Sequence, residues 1–224
     1  MNKLAFFDFD NTIYDGYTYH DFINHISSRL PEGTDYLKEL LYIREHSNNY
    51  NTMVKNMAEL IGKSITRLSQ QEFEKHCRLS CTKTKLLDWV FPVLEFLKQN
   101  GFSIIIVSAA FGEMLLDSLE VLQVDDVLCS KFFLSNDIYT GEVSILMNGD
   151  QKADSIESML IHKDDTFSIA FGDSMGDVPM LNAVNQGFLV RSDNAEVRDL
   201  AIKKGWYMGN DSQSIINKVQ EYIF

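Results

Sequence analysis

The sequence predicts an α/β fold in which helices cover both faces of a parallel sheet. Short apolar runs rich in β-branched and aromatic residues alternate along the chain with amphipathic helical segments. The apolar runs end in Asp, Ser, Gly or Arg, which is typical of strands buried in a parallel sheet. Because 45% of the 224 residues are hydrophobic, the chain can bury a large core. We therefore expect a three-layer, Rossmann-like core.

Four apolar runs are predicted to be strands, at residues 4–10, 102–108, 166–172 and 187–190. Five segments with apolar residues at helical spacing are predicted to be helices, at residues 86–101, 112–123, 151–162, 194–205 and 212–223. The first of these helices is expected to end at Gly101, because glycine commonly follows the last turn of a helix. The segment YTGEVS, residues 139–144, predicts a hairpin near an edge of the sheet.

A long segment between the first two predicted strands does not fit this alternation. One crossover helix is enough to connect two parallel strands, and residues 86–101 already supply it. The surplus segment, residues 15–84, has its own helical spacing of apolar residues and predicts a bundle of four short helices. Its acidic and basic residues are equal in number, so the rest of the chain carries the net charge of −12. We therefore expect a helical cap domain at 15–84, inserted into a catalytic core formed by 1–14 and 85–224.

The overall charge argues against some classes of partner. The chain has 20 basic and 32 acidic residues, and this negative excess repels nucleic acid and anionic membranes. No stretch is apolar for long enough to span a bilayer, and the first residues lack the pattern of a signal peptide. We therefore expect a cytoplasmic protein that acts on a small molecule.

Polar side chains lie at the ends of the predicted strands, where ligands bind in open α/β sheets. Asp8 and Asp10 close the first strand and, being two residues apart, point the same way. Ser108 closes the second strand, and Asp173 and Asp177 follow the third. We expect these side chains to converge at one edge of the sheet.

Lys152 adds a positive charge to this group. We expect Asp150 to cap the helix that carries Lys152, which places the lysine in the first turn, where the helix dipole disfavours a cation. A nearby anion is therefore expected. Converging carboxylates repel one another, and bound Mg²⁺, which shares its coordination with phosphate oxygens, would relieve that repulsion. A hydroxyl, an ammonium group and an aspartate nucleophile beside Mg²⁺ suit phosphoryl transfer.

Four motifs resemble, in their order and spacing, those of the haloacid dehalogenase superfamily. They are DFDNT at residues 8–12, the strand ending in Ser108, the helical Lys152, and GDSMGD at residues 172–177. The insertion after the first motif is similar to the helical cap of the phosphoserine-phosphatase-like branch of this superfamily. Such a cap closes over the site, excludes bulk water and contacts the leaving group.

The resemblance implies a role for each motif residue. Asp8 is expected to be the nucleophile and a Mg²⁺ ligand. Asp10 is expected to be the general acid and base, and to bind the metal through its backbone carbonyl. Ser108 and the backbone amide of Ala109 are expected to hold the phosphoryl group, and Lys152 to neutralise it and Asp8.

The same resemblance implies how the metal site is completed. Asp173 is expected to bind Mg²⁺ directly. Asp177 is expected to support Lys152 and the waters on the metal, and Thr12 to lie in the layer of residues around these groups.

The substrate is less well defined by the resemblance. Phosphoserine phosphatases have a glutamate at the position of Tyr17, and two glycines at the positions of Ala109 and Ala110, so this chain departs from them. We expect a Mg²⁺-dependent phosphatase that hydrolyses a small phosphomonoester through an aspartyl-phosphate intermediate. Tyr14, Tyr17 and Tyr19 are predicted to line the substrate pocket.

Other functions remain open at this point. The chain is alternatively a phosphoserine phosphatase, a phosphotransferase, or a phosphoryl-sensing regulatory protein that is not an enzyme. One arginine of the cap can bind a substrate carboxylate or a second phosphate, but the sequence does not choose among Arg29, Arg44, Arg67 and Arg78.

Overall fold

The computed structural model describes residues 2–29, 35–160 and 165–223. Within these ranges the strands form one seven-stranded sheet in the order β4-β3-β2-β1-β5-β6-β7. The strands are β1 (Asn2–Phe7), β2 (Phe102–Phe111), β3 (Asp126–Ser135), β4 (Ile138–Ile145), β5 (Thr166–Gly172), β6 (Gln186–Leu189) and β7 (Tyr207–Met208). All neighbouring strands are parallel except β3 and β4, which are antiparallel. The predicted α/β fold with a mostly parallel sheet is confirmed.

The helices are α1 (Thr18–Ile26), α2 (Tyr36–His46), α3 (Tyr50–Ile65), α4 (Gln70–Ser80), α5 (Val90–Gln99), α6 (Gly112–Leu122), α7 (Gly149–Leu160), α8 (Val178–Asn182), α9 (Ala195–Lys204) and α10 (Ser212–Ile223). Each predicted helix occurs, although α5 begins at Val90 rather than at residue 86. The prediction that α7 reaches His162 falls outside the described residues. None of the helices in the described ranges has the length and apolar character needed to cross a membrane.

Helices cover both faces of the sheet, because the side chains of its central strands alternate between two hydrophobic clusters. Ala5 and Phe7 of β1 belong to the cluster that contains residues of α5 and α10. Leu4 and Phe6 belong to the cluster that contains residues of α7, α8 and α9. This arrangement is the expected three-layer core.

Two strands end at different residues from those predicted. β1 ends at Phe7. The next residue, Asp8, still bonds to the neighbouring strand β5, since it donates its backbone N–H to the carbonyl of Phe171 (2.9 Å). β2 does not end at Ser108 but continues to Phe111, with a shift of register against β3 between these two residues. A bulge of this kind bends a strand and redirects its side chains.

The hairpin is near an edge of the sheet as predicted, but the position predicted for its turn is wrong. The turn lies at Asn136 and Asp137, both of which have positive φ (49° and 62°), as a tight hairpin turn requires. Residues 139–144 form part of the edge strand β4 instead. Gly141, which lies in that segment, allows the backbone of Gly62 in α3 to approach. A Cβ at Gly141 would lie 2.8 Å from the Gly62 carbonyl oxygen.

The four helices predicted for the insertion are present as α1 to α4. They bury a hydrophobic cluster that includes Phe22, Ile61 and Phe73 together with Phe132 and Tyr139 of the β3–β4 hairpin. The helical segment therefore has a core of its own that extends onto the hairpin. The division of the chain into two domains at residues 15–84 stays a prediction.

Backbone hydrogen bonds join the α3–α4 connection to the hairpin. Arg67 donates its N–H to the carbonyl of Tyr139 (3.0 Å), and Tyr139 donates to the carbonyl of Leu68 (2.9 Å). Gln70 donates to the carbonyl of Asp137 (2.9 Å). The helical segment is thus attached to the sheet away from its two chain connections.

Candidate active site

Asp8, Lys152 and Asp177 are distant in sequence but form one buried ion cluster. The Nζ of Lys152 donates to Oδ1 of Asp8 (2.6 Å) and to Oδ1 of Asp177 (2.7 Å). The lysine is 0% exposed. Burial opposes its charge, yet the negative charges of Asp177 and Asp8 outweigh burial and raise the pKa of Lys152 well above its usual value. The two carboxylates therefore explain how a charged lysine is stable in the core.

Lys152 lies in the first turn of α7, as predicted, but a different residue caps the helix. The side-chain oxygen of Asn148 accepts the backbone N–H groups of Asp150 (3.0 Å) and Gln151 (3.1 Å). The helix begins two residues earlier than predicted, so Asp150 is inside it, and its carboxylate accepts from Asn51 of α3 (2.6 Å). Asn caps helices as well as Asp does, and the sequence offered both.

Three carboxylates converge beside Lys152. Asp8, Asp173 and Asp177 each place one oxygen within 4.8 Å of the other two. Burial, followed by the charge of Asp177, raises the pKa of Asp8 to about 7 and that of Asp173 to about 9. Thr12, as predicted, lies beside them and donates its hydroxyl to Asp173 (3.3 Å). A buried group of carboxylates with one ammonium group has excess negative charge, and its oxygen donors suit a hard divalent cation.

The carboxylate of Asp177 is fixed on both sides. Its Oδ1 accepts from Lys152, and its Oδ2 accepts from the backbone N–H groups of Asp173 (3.1 Å) and Ser174 (3.0 Å) and from the Ser174 hydroxyl (2.9 Å). Gly172 allows this close approach, since a Cβ there would lie 2.4 Å from the Cβ of Asp177. These contacts are consistent with a supporting role, which stays a prediction.

Asp10 lies beside this cluster, but its carboxylate is not one of the three. Its two oxygens accept the backbone N–H (3.0 Å) and the hydroxyl (3.2 Å) of Thr18, the first residue of α1. Burial raises the pKa of Asp10 to about 7, although both hydrogen bonds favour the charged form. The metal contact predicted for Asp10 uses its backbone carbonyl rather than its carboxylate. The position of the carboxylate therefore neither supports nor contradicts that prediction.

Ser108 and Ala109 lie in the bulge at the end of β2. The hydroxyl oxygen of Ser108 accepts the backbone N–H of Ala110 (3.1 Å), and the carbonyl of Ala109 accepts the hydroxyl of Ser130 (2.7 Å). These bonds fix the irregular backbone. Ser108 and Ala109, two of the predicted phosphate-binding residues, border the same cavity as Asp8.

A cavity of about 240 Å³ lies between this edge of the sheet and the helical segment. We call its acidic part the floor, formed by Asp8, Asp10 and Asp173. We call the apolar part contributed by α3 the roof, formed by Met53, Val54, Met57, Ala58 and Ile61. Phe111 and Met114 continue the apolar lining from the core side. The cavity thus joins a charged region to an apolar one.

Two of the three tyrosines predicted for the pocket line this cavity. Tyr17 and Tyr19 do so, with their ring centroids 5.3 Å apart. The prediction for Tyr14 is wrong, because its ring is fully buried in the core and stacks on Phe9 (5.6 Å). The hydroxyl of Tyr14 donates to Asp21 (2.6 Å). The tight turn after β1 sends this side chain inward.

Two further residues of the cavity are Arg44, one of the four candidate arginines, and Tyr50, which the sequence did not indicate. Arg44 donates to the hydroxyl of Tyr17 (3.2 Å) and lies over its ring (4.8 Å), whereas the other three candidate arginines are absent from the described lining. Tyr50, at the start of α3, packs against Gly176, where a Cβ would lie 2.1 Å from the tyrosine ring. Tyr50 belongs to none of the four motifs. Its place in the cavity depends on how the helical segment packs against the sheet, which the sequence does not show.

The sequence is similar to those of several known proteins. The chain is 32% identical over 124 residues to an "Inhibition of morphological differentiation protein" of Streptomyces azureus, over 54% of this chain and 44% of that protein. It is 24% identical over 225 residues to a phosphoserine phosphatase of Mycobacterium tuberculosis, over 92% of this chain and 70% of that protein. The chain therefore matches less than half the length of the Streptomyces protein.

Among solved structures, the fold is similar to that of a phosphoserine phosphohydrolase-like protein from Francisella tularensis. The TM-score is 0.73 at 16% identity, with 97% of this chain and 99% of that chain covered. The model of the family described as haloacid dehalogenase-like hydrolase matches residues 5–182, a range that contains all four motifs. The predicted family is confirmed, and the chain belongs to the haloacid dehalogenase-like hydrolases.

Proposed function

We propose that this protein is a Mg²⁺-dependent phosphatase that hydrolyses a small phosphomonoester through an aspartyl-phosphate on Asp8. The observation that carries the proposal is the buried contact of Asp8 with Lys152, beside Asp173 and at the floor of the cavity. A cation next to a buried carboxylate and an adjoining cavity suit the transfer of an anionic group. The curated relative named phosphoserine phosphatase supports the reaction class.

The residues at the floor fit Mg²⁺. Asp8 and Asp173 would hold the ion, together with the backbone carbonyl of Asp10. When bound, Mg²⁺ supplies positive charge that stabilises the phosphoryl oxygens. Burial, followed by the charge of Asp177, raises the pKa values of Asp8 and Asp173 even though Lys152 opposes the shift, so a bound cation would stabilise their charged forms further.

In the first step a carboxylate oxygen of Asp8 attacks the phosphorus in line with the ester oxygen. The new Asp8–phosphorus bond forms as the ester bond breaks, and the leaving oxygen takes that electron pair and a proton from Asp10. Asp10 can carry this proton near neutral pH, because its pKa is about 7. Ser108, the amide of Ala109 and Lys152 bind the phosphoryl oxygens.

In the second step water attacks the same phosphorus. Asp10 accepts a proton from the water, the Asp8–phosphorus bond breaks, and its electron pair returns to the carboxylate, which releases phosphate. The two hydrogen bonds from Thr18 keep Asp10 in one orientation for both steps. The roof limits access of bulk water to the floor.

The proposal is tested by comparing Asp8→Asn with Asp154→Asn. Asp154 is exposed on α7, so the same chemical change there serves as the control. Phosphate release from a phosphomonoester panel with Mg²⁺ should fall by at least about a thousandfold in Asp8→Asn only, because the nucleophile is lost. Acid-quenched wild-type protein should carry labelled phosphate on Asp8. Retained turnover in Asp8→Asn with an unchanged melting temperature would refute the assignment.

Phosphoserine hydrolysis is the second candidate, and the name of the Mycobacterium relative favours it. Phosphoserine in the same panel tests it directly. The labelled enzyme separates the remaining alternatives, since a phosphotransferase passes the label to an added alcohol. A phosphoryl-sensing protein keeps the label on Asp8 for minutes or longer without turnover.

A further inference from the structure

We propose that the natural substrate is the phosphate ester of a predominantly apolar alcohol without an ammonium group. This inference rests on the proposed phosphatase function and names its substrate class. The floor fixes the phosphoryl end of the substrate, so the alcohol part must occupy the remainder of the cavity. The chemistry of that remainder therefore determines which alcohol is bound.

One face of α3 supplies most of this remainder. Met53, Met57 and Ile61 recur at every fourth residue, and Val54 and Ala58 follow the same spacing, so the apolar stripe continues over more than two turns. The core adds the apolar side chains of Phe111 and Met114. The described lining also includes Tyr50, Ser174 and Asn194, which can bond one or two polar groups. An alcohol with many hydroxyl groups would still leave most of them against apolar side chains, where they lose their hydrogen bonds to water.

The charges around the cavity disfavour an amino alcohol. Among the described residues of the lining, the carboxylates are Asp8, Asp10 and Asp173, and all three belong to the floor. The charged side chain contributed by the described part of the helical segment is Arg44, a cation. An ammonium group beyond the phosphate would meet Arg44 rather than a counter-ion, and burying it without a partner is unfavourable.

The aromatic side chains of Tyr17 and Tyr19 also make this part of the cavity apolar. The hydroxyl of Tyr17 already accepts a hydrogen bond from Arg44, and its ring packs beside that of Tyr19. These rings therefore offer mainly apolar surface to a ligand. The methionines of the roof adapt to different shapes, so the site should accept both aliphatic and aromatic alcohols.

Alkylphosphonates, which cannot be hydrolysed, test this inference by binding alone. The Mg²⁺-loaded protein is titrated calorimetrically with methyl-, propyl- and butylphosphonate and with 4-aminobutylphosphonate. Affinity should rise by roughly threefold for each added methylene, because each is buried against the apolar lining. 4-Aminobutylphosphonate should bind at least about tenfold more weakly than butylphosphonate. Equal affinity along the series, or tighter binding of the amine, would overturn the inference.

A matched pair of variants places the effect at the roof. Met53 is only partly buried, so Met53→Gln and Met53→Leu should both fold, and they differ mainly in polarity. The gain in affinity per methylene should shrink in Met53→Gln and persist in Met53→Leu. Methylphosphonate has almost no alkyl chain, so its affinity for each variant shows whether binding of the phosphonate group itself has been lost. If Met53→Gln melts below the assay temperature, the Met57→Gln and Met57→Leu pair replaces it. The same gain in the Gln and Leu variants would contradict the assignment.

Turnover of butyl phosphate and phosphoserine distinguishes this inference from the proposed function. Faster hydrolysis of butyl phosphate supports both. Faster hydrolysis of phosphoserine refutes the substrate class and leaves the phosphatase intact. A methylene-dependent gain in phosphonate binding without hydrolysis of any ester refutes the phosphatase and supports the apolar site.

Discussion

The floor and the roof of the cavity are built in different ways. The floor brings together side chains from distant parts of the chain, and buried ion pairs and backbone N–H groups hold them in place. The roof comes from one face of a single helix, α3, and consists of apolar side chains. A reaction centre requires fixed charges at fixed distances, whereas an apolar surface tolerates changes of shape.

This difference separates chemistry from recognition. A substitution at the floor removes a charge that interacts with the other charged groups of the cluster, so it should also change the pKa values and positions of those groups. A substitution in the roof changes the surface offered to the alcohol and leaves the ion pairs in place. The following predictions test this separation.

Removal of divalent cations should have the largest effect. EDTA should reduce phosphate release by several orders of magnitude, because the carboxylates of the floor would repel both one another and the phosphate. Added Mg²⁺ should restore the rate. Full activity after exhaustive chelation would show that the floor works without a metal.

Asp10→Asn should slow the reaction by about 10² to 10⁴, since proton transfer to the leaving oxygen and from water would both be lost. Rapid-quench measurement of the phosphorylated enzyme and of released phosphate follows the two steps separately. The exposed variant Asp154→Asn is again the control. Unchanged burst and steady-state rates would exclude an acid–base role for Asp10.

Lys152→Met should lower the free energy of unfolding by about 3 to 5 kcal/mol at pH 8, because it leaves buried carboxylates without a cation. The loss should be smaller at pH 5. There Asp8, whose pKa is raised to about 7, takes up a proton and no longer needs the ammonium group. Denaturant unfolding in metal-free buffer measures both values.

Lys55→Met is the matched control for this measurement. The side chain of Lys55 is 66% exposed, and its contact with Glu59 is a surface pair at 3.9 Å, so little stability should be lost. Equal losses for the two lysines, or a loss at Lys152 that does not depend on pH, would contradict the buried-cluster interpretation.

The smallest effect, taken per pH unit, should be that of pH on Mg²⁺ binding. Protons compete with the ion for both Asp8 and Asp173 below pH 7, so affinity should rise there by up to about a hundredfold per unit. Between pH 7 and pH 9 only Asp173, with a pKa of about 9, still carries a proton, so the rise should fall to about tenfold per unit. Calorimetric titration from pH 5.5 to about 9 measures the slope. An affinity that is flat over this range would indicate that neither carboxylate binds the ion.

Much of the floor could be predicted from the sequence. Asp8 and Asp173 follow β1 and β5, and Ser108 lies near the end of β2; these strands are parallel, and parallel strands place their carboxyl ends at one edge. Their convergence was therefore a consequence of the fold class. Lys152 could be added because a cation in a first helical turn requires a nearby anion.

The roof could not be predicted in the same way. The apolar spacing of α3 indicated a helix but did not distinguish a face that packs in a core from one that lines a cavity. Tyr14 was misplaced for a related reason, since proximity in sequence to Asp10 does not determine which way a turn directs a side chain. The hairpin turn was misplaced because Gly141 serves a close contact with α3, while Asn136 and Asp137 make the turn.

The hydrogen bonds between the α3–α4 connection and the hairpin constrain how a substrate can enter. If the helical segment swung as a simple door about Gly16 and Lys85, the bonds from Arg67 and Gln70 to the hairpin would break. A rotation pivoting at the hairpin keeps them and instead separates Asn51 from α7, where its side chain donates to Asp150 (2.6 Å) and accepts from the backbone N–H of Gly149 (3.1 Å). Such a rotation would move the start of α3 away from α7 and would admit the phosphate to the floor beside Asp8.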